Sequence, residues 1–169
     1  MKSIYIPIES SHIDVLDCIR RDYDSLYGKI PAHVTLVFPF LSELDEGLVV
    51  SHIREVLACE KQFSFTLGFT LFNDNGTCYI PIEKGANHIT SLNSRLYSGC
   101  LSSYRSLEYE FVPHVTIARS VSPDKIIHVE SRAESVFGTN FVVKEVVLEN
   151  IGKDGSGKVV ISTKLAVFP

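Results

Sequence analysis

The chain alternates between short apolar runs and longer stretches in which every third or fourth residue is apolar. The apolar run His33–Phe38 stops at Pro39 and predicts a strand, because proline cannot donate to a strand ladder. Helical spacing predicts a helix over Ser11–Tyr27, which Gly28 ends. Further strands are predicted at Ser3–Glu9, Phe63–Phe72, Thr77–Glu83, Phe111–Arg119, Phe141–Ile151 and Lys158–Val167. Further helices are predicted at Asp45–Cys59, from Asn87 to about Ser103, and from Ser122 to about Phe137.

Two short motifs occur twice and in the same order. Tyr-Ile-Pro-Ile-Glu stands at residues 5–9 and again at 79–83, and His-Val-Thr stands at 33–35 and again at 114–116. Two ordered matches indicate an internal duplication within one domain covering residues 1–169, with approximate halves 1–75 and 76–169. Each half predicts strand-helix-strand-helix-strand. The expected fold class is therefore α+β, with two pseudo-symmetric lobes and a central groove.

The repeated His-Val-Thr motif carries the candidate chemistry. Side chains alternate along a strand, so His33 and Thr35 share one face, and His114 and Thr116 share another. Imidazole titrates near neutral pH, so one His can accept a proton while the other donates one. The two Thr hydroxyls could hold the non-bridging oxygens of a phosphodiester. The four residues predict an acid–base site that requires no metal and no cofactor.

Composition limits the class of protein and of partner. A length of 169 residues with 45% hydrophobic and 21% charged residues is typical of one globular domain. The net charge of −4 argues against a protein that coats duplex nucleic acid, but it leaves a nucleotide or an RNA end possible as substrate. The four cysteines form no Cys-x-x-Cys pair, and we expect them to be reduced and buried. We expect a cytoplasmic monomer with no membrane segment.

Several other residues have competing interpretations. His88-Ile89-Thr90 also matches His-x-Thr, but it falls at the start of a predicted helix and has no repeat partner, so we interpret it as chance. Arg119 could bind phosphate, yet the alternation of side chains places Ala118 rather than Arg119 on the His114 face; only a strand end or twist would bring it to the site. Tyr5 and Tyr79 could stack on a base or belong to the core.

Default interpretations apply to the remaining aromatic and histidine residues. Phe38, Phe40 and Phe72 are expected in the core. The helical histidines His12, His52 and His128 are expected in solvent, since their neighbours are charged.

These motifs resemble the 2H phosphoesterase superfamily, which is named for its paired His-x-Thr-x motifs. His33-Val34-Thr35-Leu36 and His114-Val115-Thr116-Ile117 carry the resemblance, and they look most similar to the short bacterial LigT-like and 2′-5′ RNA ligase-like branch. The resemblance implies a bilobal α+β fold. It also implies action without metal on 2′,3′-cyclic phosphates or 2′-5′ linkages. By the same resemblance, His33 is the proton donor and His114 the proton acceptor.

The sequence thus predicts a metal-independent phosphodiesterase acting on RNA ends or nucleotides through two histidines. A non-catalytic module that binds a nucleotide or RNA end on the same fold is the alternative. A weaker alternative is a scaffold that keeps the motifs only for strand packing, and deep burial of both imidazoles would favour it.

Overall fold

The computed structural model describes residues 1–9, 13–41, 43–108 and 110–167. In this part of the chain the strands are β1 (Lys2–Pro7), β2 (His33–Phe40), β3 (Phe63–Leu67), β4 (Phe72–Asp74), β5 (Thr77–Lys84), β6 (His114–Ala118), β7 (Asn140–Val143), β8 (Glu145–Ile151) and β9 (Gly157–Lys164). The α-helices are α1 (Ile13–Tyr23), α2 (Glu46–Leu57), α3 (Ala86–Leu96) and α4 (Ile126–Ala133). Short 3₁₀ helices cover Gly99–Tyr104, Pro123–Lys125 and Glu134–Val136.

The strands form one sheet in the order β7-β3-β5-β6-β2-β1-β8-β9, with β4 paired to β5. All of these strand pairs are antiparallel. The sheet is curled, because Ala166, just after edge strand β9, bridges to Lys61, just before β3 near the opposite edge. The α+β fold class with two pseudo-symmetric lobes is confirmed by this arrangement, whose lobes meet where β2 pairs with β6.

Each lobe contains elements from both halves of the sequence. β3, from the first half, lies beside β5, and β8, from the second half, lies beside β1. The helices are exchanged in the same way, since α1 packs behind β6 and α3 packs behind β2. The helix pairs α1–α4 and α2–α3 each combine one helix from either half. The lobes of the molecule are therefore not the halves of the chain.

The core lies between the helices and one face of the sheet. Alternate strand residues on this face are fully buried, among them Ile4, Ile6, Val34, Val115 and Ile80. The strand residues between them point to the opposite, concave face, which carries both His-Val-Thr motifs.

Several predicted elements are shorter than expected or divided. The predicted strand Phe63–Phe72 is interrupted at Gly68, whose amide donates to the carbonyl of Pro81 before the chain turns into β4. The predicted strand Phe141–Ile151 is two strands, β7 and β8, which lie toward opposite edges of the sheet. The predicted helix Ser11–Tyr27 ends at Tyr23, and its first residues lie outside the described part of the chain.

Some predicted side-chain environments are wrong. Phe40 is buried, but Phe38 and Phe72 are each 46% exposed, because both lie on the concave face. Of the cysteines only Cys78 is buried, whereas Cys59 is exposed and Cys18 and Cys100 are half-buried; all four are free thiols. None of the helices in the described ranges is long and apolar enough to cross a bilayer.

Candidate active site

The two histidine motifs meet at the junction of the two lobes. Val34 of β2 is the partner of Val115 of β6 in an antiparallel ladder. One residue on from this pair in either direction, His33 lies opposite Thr116 and Thr35 lies opposite His114. The structure thus brings the four predicted site residues together on one face of the sheet.

The two imidazoles occupy diagonal corners of this group. Diagonal side chains on an antiparallel pair start about 7–8 Å apart, and directly opposite ones about 5 Å apart. His33 and His114 therefore approach a shared point from opposite sides, with a Thr hydroxyl beside each of them. Both imidazoles are half-buried and open to the concave face, which does not fit the scaffold alternative.

Each imidazole is oriented by the same local hydrogen bond. Nδ1 of His33 lies 2.8 Å from the carbonyl oxygen of Pro31, and Nδ1 of His114 lies 2.7 Å from that of Val112. A carbonyl can only accept, so Nδ1 carries the proton and donates it. In the neutral ring Nε2 is then the free base.

A tyrosine from the neighbouring strand packs against each imidazole. The Tyr5 and His33 ring centroids are 5.0 Å apart, and those of Tyr79 and His114 are 4.6 Å apart. Tyr5 is only 3% exposed, so its ring is not available to stack on a base. Tyr79 is half-buried, and its ring stacks on Phe72.

Burial holds both imidazoles in the neutral form. Loss of solvation lowers the pKa of His33 to about 4, although the hydrogen bond to Pro31 acts in the opposite direction. Loss of solvation also lowers the pKa of His114, and the Arg119 charge adds to this effect at both rings. A bound phosphate would oppose these effects, since its negative charge favours imidazolium.

A β-bulge brings Arg119 to the site. Tyr79 pairs with Thr116 but Cys78 pairs with Ala118, so β6 contains one extra residue, Ile117. Ile117 and Ala118 are both fully buried, which resets the alternation and returns Arg119 to the histidine face. The expectation that Ala118 shares this face is therefore wrong. The bulge is the change in strand geometry that allows the Arg119 side chain to lie on the histidine face.

The corresponding bulge in β2 places Phe38 at the other end of the site. Tyr5 pairs with Thr35 while Ile4 pairs with Val37, so Leu36 is the extra residue. Phe38 then lies on the concave face, with its ring 6.4 Å from that of Phe111 in an edge-to-face arrangement. One end of the site is cationic and the other aromatic.

A buried carboxylate fixes the Arg119 side chain. Oδ1 of Asp24, whose side chain is fully buried, accepts from Nη1 of Arg119 at 2.6 Å. Oδ2 of Asp24 accepts from Nε of the buried Arg20 at 3.0 Å. Arg20 also donates to the carbonyl of Ile30, in the turn that leads to His33. Asp24 gave no sequence signal, because only the fold places α1 beside β6.

The other histidines lie away from this site. His88 stacks on Phe63 at 4.0 Å and contacts the Glu60 carboxylate at 2.9 Å, so the third His-x-Thr match is separate from the other two. His128 is exposed, as predicted, whereas His52 is half-buried and lies 3.0 Å from the carbonyl of Leu96. His12 lies outside the described residues. Within those residues, no three His, Cys, Asp or Glu side chains cluster as metal ligands.

This geometry places two histidines and two threonines on one face of a curled antiparallel sheet. Comparison with known proteins identifies the family to which the chain belongs. The model of the 2′-5′ RNA ligase superfamily matches residues 7–155. The chain belongs to this superfamily, which confirms the resemblance to 2H phosphoesterases.

Relatives in Bacillus have similar sequences. A protein named "Putative phosphoesterase" in Bacillus pumilus is 37% identical over 117 residues, and one with a similar name in Bacillus licheniformis is 36% identical over 117 residues. Each match covers 66% of this chain and 66% of the relative. The chain thus spans about two thirds of the length of these curated relatives.

Solved structures share the fold. E. coli LigT complexed with 3′-AMP superposes with a TM-score of 0.62 at 16% identity, covering 97% of both chains. Kluyveromyces marxianus Usb1 with uridine monophosphate superposes with a TM-score of 0.52 at 12% identity, again over 97% of both chains. At these identities the similarity shows the fold alone.

Proposed function

We propose that the protein is a phosphodiesterase that acts on 2′,3′-cyclic phosphates or 2′-5′ linkages of nucleotides or RNA ends, without a metal ion. The observation that carries this proposal is the placement of His33, Thr35, His114 and Thr116 on one face around the junction of the lobes. Family membership supports the reaction class, and the nucleotides bound to LigT and Usb1 support the substrate class.

The reaction follows from the diagonal arrangement of the imidazoles. Nε2 of neutral His114 accepts a proton from water while the water oxygen attacks phosphorus. The bond from phosphorus to the leaving ribose oxygen breaks on the opposite side, and that oxygen receives a proton from protonated His33. The cyclic diester and one water thereby become one monoester. Reversing the two roles would process a substrate bound in the opposite orientation.

The pKa of His33 makes the donor role depend on bound substrate. With a pKa of about 4 the imidazole of the free protein is neutral near neutral pH, because loss of solvation disfavours its charged form. The substrate phosphate supplies the negative charge that allows His33 to be protonated on binding. Thr35 and Thr116 donate to the non-bridging oxygens, and Arg119 provides a cation at the end of the site.

Incubation with candidate substrates tests this function directly. Purified protein with chelator present is incubated with 2′,3′-cyclic nucleotides and short 2′-5′ oligonucleotides, and the products are separated by chromatography. We expect ring opening or linkage cleavage, and a loss of at least about 100-fold in kcat for His33→Ala and for His114→Ala. His88→Ala removes the histidine of a matching tripeptide outside the site and serves as the control.

Full activity in both site variants would contradict the mechanism. Saturable nucleotide binding with unchanged ligand would instead support the non-catalytic binding module.

A further inference from the structure

Phe72 is an exposed aromatic side chain beside the candidate site. It is 46% exposed, and its ring is nearly parallel to that of Tyr79, with an interplanar angle of 14° and centroids 5.7 Å apart. Phe72 pairs with Tyr79 across the β4–β5 ladder, and Tyr79 pairs with Thr116 across the β5–β6 ladder. The three side chains therefore form one row on the concave face.

In the other lobe, the position beside Tyr5 that is equivalent to Phe72 is buried. The outer neighbour of Tyr5 is Val147, which is buried, and the Tyr5 hydroxyl donates to the buried carboxylate of Glu149. Glu149 also accepts from the Ser3 hydroxyl at 2.9 Å. Of the two tyrosines that pack on the histidines, Tyr79 therefore has an exposed aromatic neighbour on its outer side and Tyr5 does not.

The spacing of the row suits a nucleoside attached to the phosphate. Phe72 is separated from Thr116 by two strand spacings, roughly 10 Å. A phosphate held by Thr116 and the imidazoles would place its sugar above Tyr79 and its base above Phe72.

We propose that Phe72, backed by Tyr79, is the binding platform for the nucleobase of the substrate. This inference rests on the proposed function and makes it more specific, because a sugar phosphate without a base would bind poorly. Aromatic stacking tolerates any base, so the platform favours nucleosides over other phosphate esters without selecting one base.

Calorimetric binding of two matched compounds tests the platform without requiring turnover. Adenosine 2′-monophosphate is compared with 1-O-methylribose 2′-phosphate, which lacks the base, on the wild type, Phe72→Leu and Phe72→Trp. We expect Phe72→Leu to weaken adenosine 2′-monophosphate roughly 5- to 100-fold and to leave the compound without a base unchanged. Phe72→Trp keeps an aromatic face and should retain the affinity for the nucleotide.

Phe69→Leu is the matched control. Phe69 is another exposed aromatic residue of the same β3–β4 connection, but its ring lies against Gly138 rather than in the row. Its replacement should leave the affinity for both compounds unchanged.

Any of the following results would overturn the inference. Equal affinity of the wild type for both compounds, or equal weakening of both by Phe72→Leu, would show that the ring does not read a base. If neither compound binds, and the incubation with cyclic substrates also shows no turnover, the proposed function fails together with the platform. Turnover with base-independent affinity would reject the platform alone.

Discussion

At the scale of residues, Arg119 combines two effects that act in opposite directions on the imidazoles. Its positive charge attracts a phosphate, yet the same charge lowers the pKa of both His33 and His114. Asp24 balances this charge from behind, while 23% of the Arg119 side chain remains exposed. The imidazoles of the free protein are therefore neutral near neutral pH, and in the proposed reaction a bound phosphate would favour protonation of one of them.

The pH dependence of kcat/KM should report this state. The form of the free protein that reacts has one imidazole neutral and the other protonated, and it is a minor form near neutral pH because both pKa values lie below 6.5. We expect a bell-shaped profile with its maximum on the acidic side of pH 6.5. Removing the cation raises both pKa values, so Arg119→Gln should move both limbs of the bell to higher pH.

Two control substitutions separate the electrostatic effect of Arg119 from a loss of folding. Arg119→Lys keeps the charge and should leave the limbs in place. Arg132→Gln removes a cation that pairs with Asp22, and it should not move the profile. Unmoved limbs in Arg119→Gln would contradict the electrostatic role.

The sequence indicated the four motif residues but not what surrounds them. A repeated tripeptide on apolar strands is visible without coordinates, and strand alternation correctly predicted that His and Thr share a face. The same alternation wrongly placed Ala118 on the His114 face and left Arg119 undecided, since a bulge is not visible in the residue pattern. Asp24 could not be found, because its partner lies 95 positions away in the chain.

At the scale of elements, each motif strand is held by a helix from the opposite half. The carbonyl of Leu36, the extra residue of the β2 bulge, accepts from Nδ2 of Asn93 of α3 at 2.7 Å. The Tyr97 hydroxyl accepts from the amide of Phe38 at 3.0 Å. On the other side the amide of Arg119 donates to the carbonyl of Tyr23, at the end of α1.

Asn93→Ala should destabilise the protein. Asn93 is 1% exposed and Leu36 is fully buried, so the substitution removes a hydrogen bond to a buried carbonyl. We expect the free energy of unfolding in denaturant to fall by about 1–3 kcal/mol. Asn87→Ala on the exposed face of the same helix is the control, and equal losses in the two variants would argue against the hydrogen bond.

The predicted elements were more accurate in kind than in extent. Apolar periodicity and capping residues located the four α-helices of the described chain, but α3 ends at Leu96 and a separate 3₁₀ helix begins at Gly99 within the stretch predicted as one helix. The continuous apolar run 141–151 could not show that β7 and β8 belong to opposite edges, because that separation depends on pairing with distant strands.

At the scale of the whole molecule, the exchange of β3 and β8 means that neither half contains its own lobe. The chain divided between Asn75 and Gly76, in the tight turn between β4 and β5, should give two fragments that fold only together. Co-expression with a tag on one fragment should recover both, with the circular dichroism of the intact protein. Independent folding of either fragment alone, measured by the same spectrum, would contradict this prediction.

The exchanged strands also bear on ancestry. An ancestral half that existed as a separate polypeptide would have had a third strand, equivalent to β3 or β8, that cannot pair with its own first two strands. In a dimer of such polypeptides, each third strand would pair with the sheet of the other copy. Each would have contributed one histidine to a catalytic centre on their symmetry axis. The repeated motifs of the present chain are what gene fusion of such a homodimer would leave, and fusion would have allowed one wall to close around Glu149 while the other stayed open at Phe72.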